Sequence, residues 1–310
     1  MPMHYNKAKQ YLIVLLKVTI IFAAFWVVYH HISTEPEGFT YLLNALNQAH
    51  MGWLLLSIAL LSVINWGLEI IKWQQLATLL APISFVQAYV QTIGAQTLAV
   101  LTPGRLGEYG AKSLYYAKEK RATVFELTFY HNMHQLLITC IAGLLGMLYL
   151  QMYQLVSMVI VGTILVLLAF KFLKNITIKN YSLAVLWQDY KQLPLANRRL
   201  NLFVSLARYL VFSHQFYVFL LAFGVAVPYG ICMSVIAVMY ITASLLPVMA
   251  LFDVVLKAGA AVFLFSVYHI PASLVLGVTL LMWIFNTGFP ALLGTFVIGK
   301  SLLGKPTKYL

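Results

Sequence analysis

Apolar residues dominate this chain in long runs, and polar residues gather between them. Six runs stand out: Tyr11–Tyr29, Met51–Ile71, Val124–Leu150, Leu155–Phe170, Leu202–Val227 and Ala272–Ile298. Each is near or above the roughly 17–25 residues that a helix needs to cross the hydrocarbon layer. Lipid offers no partner to a free peptide group, so helices are the expected form. His30-His31-Ile32 follows the first run, with no small-residue cleavage site, which favours a span over a signal peptide.

Two apolar stretches break the pattern. Ser84–Ala117 has a polar-dotted arm (Gln87, Gln91, Gln96), then Leu101-Thr-Pro-Gly-Arg-Leu-Gly-Glu-Tyr-Gly110, then a second short arm. Tyr229–Phe265 contains Pro247 and Gly259 and has no flanking charge. Proline and glycine interrupt helices. Irregular backbone survives at membrane depth only where protein or a wet cavity satisfies it. Both stretches are therefore expected as re-entrant helical hairpins; two short full spans apiece would return the chain to the same side and leave the topology unchanged. Offset by 145 positions, Leu101 falls on Leu246, Leu106 on Leu251, Glu108 on Asp253 and Lys112 on Lys257. The flanking runs correspond as well. The expected fold is all-α and polytopic, with about six crossing helices and two hairpins in an inverted repeat. Such repeats with broken helices are a recurrent transporter plan.

The whole chain, 1–310, reads as one integral membrane domain. Residues 1–50 give a span and a short outer helix, since Thr34 and Glu37 have capping-box spacing. Residues 51–150 form the first repeat and 201–298 the second. Between them, 151–200 supply a span and an amphipathic segment, Tyr181–Leu193, suited to the inner leaflet. A basic tail, 299–310, closes the chain.

Composition supports this picture: 62% of the 310 residues are hydrophobic and 9% charged, against roughly 25% charged in soluble domains. The net charge of +12 suggests nucleic acid until the positions are read. Lys7, Lys9, Lys72, Lys118, Lys120, Arg121 and the cations of 171–199 and 300–308 all fall on one side of the expected topology. The opposite loops hold no Lys or Arg. This asymmetry places both termini in the cytoplasm of a cell (inner) membrane and excludes nucleic acid as the partner. Cys140 and Cys232 lie in apolar runs and read as packing residues.

Thr102–Lys112 carries the most chemistry. Gly104, Gly107 and Gly110 recur at every third position and permit close backbone approach to a ligand. A helix restarting after Pro103 would aim free N–H groups at an anion. Arg105 adds a fork suited to phosphate, and Lys112 lies one turn beyond Glu108. The alternative is tight packing with Glu108–Lys112 as a structural pair. Asp253 and Lys257 read equally as a structural or a site pair. Glu69 is expected to pair with Lys72, and Lys72 and Trp73 to be interfacial anchors. Arg208 either snorkels or lines a cavity, with Gln215 on the same face. His131 and His134 have a metal-compatible spacing but no further ligands nearby in sequence. They read as polar packing or cavity lining, and neither metal nor cofactor is expected.

Pro103-Gly-Arg-Leu-Gly-Glu108 resembles the Pro-Gly-x-Leu/Ile-Gly-Glu signature of the lysylphosphatidylglycerol synthase transmembrane-region family. Asn65-Trp-Gly-Leu-Glu69 with Lys72-Trp73, and Arg208-Tyr-Leu-Val-Phe-Ser-His-Gln215, are similar to segments of its stand-alone members. The resemblance covers the chain from about residue 50. It implies a membrane-embedded domain that translocates lipid or lipid-linked headgroups, with Pro103, Gly104, Gly107 and Glu108 as its core motif. No soluble aminoacyl-transferase half is expected among these residues, so the resemblance does not imply lysyl transfer. The second hairpin lacks a matching Pro-Gly-Gly signature.

The expected function is a flippase-like transporter of an anionic phospholipid or polyprenyl phosphate, with an anionic-headgroup lipid as partner and a homo-oligomer as one possible assembly. The alternatives are a membrane enzyme or accessory subunit acting on a lipid-linked substrate such as a glycosyl carrier, and a non-transporting partner protein. An enzyme would draw on Glu69, Glu108, Glu126 and Asp253.

Overall fold

The computed structural model describes residues 51–173, 182–244 and 250–303, with isolated positions 26, 29, 30, 33, 40 and 44. The first expected span, the outer helix at Thr34, Pro247 and the end of the basic tail lie largely or wholly outside those residues. Among them, the protein is all-α with no strand, and five helices are long and apolar enough to cross a membrane. It is a multi-pass membrane protein.

The first half runs through α1 (Met51–Ala77), α2 (Phe85–Leu101), α3 (Leu106–Ser113) and α4 (Arg121–Tyr149). Then come α5 (Tyr153–Leu173) and the short α6 (Leu183–Gln192). The second half is α7 (Leu195–Ala222), α8 (Tyr229–Ser244), α9 (Ala250–Ser266), α10 (Ala272–Trp283), a π turn at Ile284–Gly288 and α11 (Phe289–Leu303). α2 begins with a capping box: Ser84 Oγ accepts from the Gln87 N–H, and Gln87 Oε1 accepts from the Ser84 N–H at 2.7 Å. Thr102 leaves the helix in extended backbone, and Gly104 and Arg105 are both left-handed, at φ 58° and 59°. That turn reverses the chain. At eight residues, α3 is far too short to cross a membrane.

The helix contacts follow a two-fold plan. α1 packs on α7; α4 packs on α8 as α11 packs on α2; and the hairpin contacts α2–α3 and α3–α4 recur as α8–α9 and α9–α10. The α1–α7 seam is antiparallel and polar. From one end to the other, Asn197 donates to the Gln75 carbonyl, Asn201 to the Lys72 carbonyl, Arg208 to Glu69 and Asn65, and Gln215 to the Ile58 carbonyl. The two outer seams are tight. A Cβ added at Gly143 would strike Ile241, and one at Gly294 would strike the Ile93 carbonyl. Small residues allow such approach where lipid supplies no hydrophobic drive. α5 packs on α4 and leaves an apolar surface such as Leu165, Val166 and Leu167 exposed, as a lipid-facing helix requires.

Two sequence expectations change. Lys72 and Trp73 are not interfacial anchors: both are fully buried. α1 runs six residues beyond the apolar run, to Ala77, and α2, α4 and α7 pack around its end. The amphipathic segment also does more than lie on lipid. Tyr190 packs on Tyr130 with the rings tilted by 55°, and the Tyr130 hydroxyl donates to the Leu186 carbonyl at 2.7 Å. One face of α6 thus docks on protein, while Val185 and Trp187 stay exposed.

Candidate functional site

A cavity of about 560 Å³ opens where the hairpin tips meet the α1–α7 seam. Gly104 and Arg105 come from the turn between α2 and α3, Ser244 from the end of α8, and Asp253 and Lys257 from the first turns of α9. Glu69 and Arg208 come from the seam, and Asn286 from the π turn. Trp66, Tyr109, Phe129 and Tyr240 provide aromatic wall. The lining holds two carboxylates and three cations (Arg105, Arg208, Lys257), so its formal charge is positive. Charged groups at membrane depth are costly and are seldom retained without a role.

Arg105 Nη2 meets Glu108 Oε2 at 3.2 Å and donates to Gln96 Oε1 at 2.9 Å. Glu108 Oε1 accepts from Lys112 Nζ at 2.7 Å. Lys112 is buried over the Trp73 ring, 4.2 Å from its centroid. Arg208 Nη1 donates to Glu69 Oε2 at 2.6 Å, and its Nε donates to Asn65 Oδ1 at 3.0 Å. Asn65, Asn286 and Gln215 are linked by two 2.9 Å hydrogen bonds, so the π turn is tied to the seam. A π turn inserts an extra residue and is often found at functional sites. Here it brings Asn286 to the cavity wall.

Of the residues singled out in the sequence, Gly104, Arg105, Glu69, Arg208, Asp253 and Lys257 line the cavity. Glu108 and Lys112 lie behind Arg105, almost wholly buried. Gln215 is buried in the seam: it donates to the Ile58 carbonyl and Ser62 and accepts from Asn286. Pro103 lies in the turn and Gly107 in the first turn of α3, and neither lines the cavity. The free-amide cradle expected after Pro103 is not formed. The Gly107 N–H donates to Thr102 Oγ1 at 2.6 Å, and the N–H groups of Arg105, Leu106 and Glu108 donate to Thr102, Pro103 and Arg105 carbonyls. Gly107 is small for another reason, because a Cβ there would collide with the Leu98 carbonyl. The charge offered to a ligand is therefore on side chains.

One further expectation is corrected, and the histidine surroundings are resolved. Glu69 pairs with Arg208 rather than Lys72. His131 and His134 diverge: His134 meets Asn201 and Tyr190, and His131 meets Glu69. His131 also has further acidic neighbours, contrary to the sequence spacing. Donor atoms of Glu69, Glu108 and His131 lie within 4.8 Å of one another. That grouping suits a cation, but Arg208, Arg105 and Lys112 already occupy the carboxylates. Asn286, Asn65 and Lys72 were not proposed as functional. Asn65 and Asn286 each carried a signal, as an amide inside an otherwise apolar run.

No family model matches this chain, and no curated protein or solved structure matches it.

Proposed function

We propose that this protein moves a lipid or lipid-linked molecule with an anionic headgroup, such as an anionic phospholipid or a polyprenyl phosphate, across a cell membrane. One observation carries the reading: corresponding helix pairs of the two halves, α2–α3 and α8–α9, line a single cavity with excess positive charge. Arg105 and Arg208 offer planar forks to phosphate oxygens. The aromatic wall and the amides of Asn65, Asn132 and Asn286 suit the remainder of a headgroup. An enzymatic reading has less support. Glu69 and Glu108 are tied to cations and Glu126 does not line the cavity, which leaves Asp253 as the more open carboxylate.

The sequence resemblance to the lysylphosphatidylglycerol synthase transmembrane-region family points the same way. Cation placement supports an inner-membrane location with cytoplasmic termini. In intact cells, cysteine at Gln151 is then labelled from outside and cysteine at Lys118 is not.

The test is reconstitution into vesicles with fluorescent phosphatidylglycerol, a labelled polyprenyl phosphate, and phosphatidylcholine as a comparison. The expected result is faster redistribution of at least one anionic probe, reduced in Arg105→Lys and Arg208→Lys. Redistribution of both anionic probes no faster than in protein-free vesicles contradicts the proposal.

A further inference from the structure

Behind the cavity wall lies a second group of charged residues whose partners are incomplete. Glu69 faces the cavity through Arg208 and the interior through His131, whose Nε2 lies 3.1 Å from Glu69 Oε1. That contact is out of line for a hydrogen bond, and neither ring nitrogen of His131 has a hydrogen-bond partner among the described residues. Lys72 stands three residues beyond Glu69 on α1, fully buried. Its Nζ also has no hydrogen-bond partner among the described residues. Buried amine and imidazole nitrogens without partners are expensive, and native interiors seldom leave them so. Two such groups flanking one carboxylate point to a second arrangement in which that carboxylate serves them. The obstacle in the present arrangement is Arg208, which holds Glu69 Oε2.

The other charges around this group are already engaged. Glu108 is held by Lys112 and Arg105 from the first hairpin. His134, one turn along α4, bonds to Asn201 and Tyr190. Asp253 of the second hairpin pairs with Lys257. Among the charged residues of the described cavity lining, Glu69 is the one that reaches toward both His131 and Lys72.

We propose that Glu69, His131 and Lys72 form a proton site that loads when an anionic headgroup engages Arg208, so that substrate and proton cross together. This rests on the transport reading above. A phosphate oxygen accepts from the Arg208 guanidinium, and the Arg208–Glu69 bond opens. Glu69 Oε2 turns to the Lys72 amine. One proton from cavity water on the open side joins the Lys72–Glu69–His131 set. On the other side the anion leaves, Arg208 returns to Glu69, and the proton passes to water. A monoanion with one proton crosses without net charge, so the membrane potential does not oppose it. A proton also needs no room in a packed interior.

Linkage fixes the sign: if binding takes up a proton, affinity must rise as pH falls, by up to about tenfold per pH unit. The experiment is calorimetric titration of the detergent-solubilised protein with dioctanoyl phosphatidylglycerol and with a short-chain polyprenyl phosphate. Two buffers of different ionisation enthalpy report the protons exchanged. The expected result for the parent is uptake of about one proton per lipid bound. In Lys72→Met, which keeps the side-chain shape, uptake falls towards zero and binding loses its pH dependence. His131→Gln should behave in the same way and provides a second variant if the first does not fold. Binding by the parent without proton uptake overturns the proton site and leaves the transport reading standing. Full uptake in either folded variant overturns it too. A parent that binds neither probe removes the transport reading and the proton site with it.

Discussion

The two hairpins carry the same acid–lysine spacing and use it differently. In the first, Glu108 and Lys112 join at 2.7 Å, with 3% and 0% of their side chains exposed. In the second, Asp253 and Lys257 join at 2.5 Å but keep 24% and 28% exposed. Each lysine lies over an aromatic ring, Lys112 over Trp73 and Lys257 over Tyr240. The neighbours account for the difference. α3 is enclosed by α2 and α4, and the end of α1 brings Trp73 against it. The start of α9 opens to the cavity. One pair is thus a strut that fixes Arg105, and the other is a cavity wall that a ligand can touch.

The sharpest way to break this comparison is to remove each acid. Glu108→Ala leaves Lys112 charged and buried, and should destabilise the protein by about 3–5 kcal/mol. Adding Lys112→Met should recover much of that loss. Asp253→Ala strands a lysine that water can reach, and should shift stability by no more than about 1 kcal/mol. Thermal unfolding in detergent reads all three variants, and equal losses for the two acids would show the pairs to be equivalent.

The hairpin turn gives the next largest effect. Gly107→Val drives a side chain into the Leu98 carbonyl and should cost about 1–3 kcal/mol in the same assay. A Cβ at Gly110 meets nothing within 4 Å, so Gly110→Ala should gain about 0.5–1 kcal/mol from helix propensity. Comparable damage at both positions would indicate a ligand, rather than the hairpin itself, against these glycines.

Binding sharpens the contrast further. Arg105→Lys keeps the charge but loses the fork to Glu108 and Gln96, and should weaken headgroup binding about tenfold, near 1.4 kcal/mol. The smallest effect belongs to Lys257→Met. It should weaken binding only a few-fold, and by less as salt rises, because a half-open charge is screened. Titration with dioctanoyl phosphatidylglycerol at low and high salt measures both.

Much of the architecture was legible because lipid imposes it. Long apolar runs and the interruptions between them were enough to anticipate an all-α polytopic chain, and the helix contacts match between its two halves. Local pairs such as Glu108–Lys112 and Asp253–Lys257 were also legible, since one helical turn fixes them. The Glu69–Arg208 bond was not, because it spans 139 residues and depends on the register of the α1–α7 seam. Lys72 was misread because hydropathy fades before α1 ends, and packing carries the helix on to Ala77. The glycines at 104, 107 and 110 suggested one shared role from their spacing, but the turn gives them separate ones. Gly104 takes the left-handed conformation, Gly107 meets backbone, and Gly110 faces open space.

The central claim is that the cavity between the hairpin tips is where the anionic headgroup passes. It is tested most directly by filling the cavity from one wall. With Cys140 and Cys232 changed to Ala, Ser244→Cys places a thiol on the second hairpin's side of the cavity, and Asn132→Cys places one on α4. Leu167→Cys, on the exposed face of α5, is the control. Each is reacted with a bulky thiol reagent, and redistribution of fluorescent phosphatidylglycerol and labelled polyprenyl phosphate is measured in vesicles. The account predicts that labelling at either cavity position stops redistribution while labelling at Leu167→Cys does not. Undiminished redistribution with Ser244→Cys and Asn132→Cys fully labelled would contradict it.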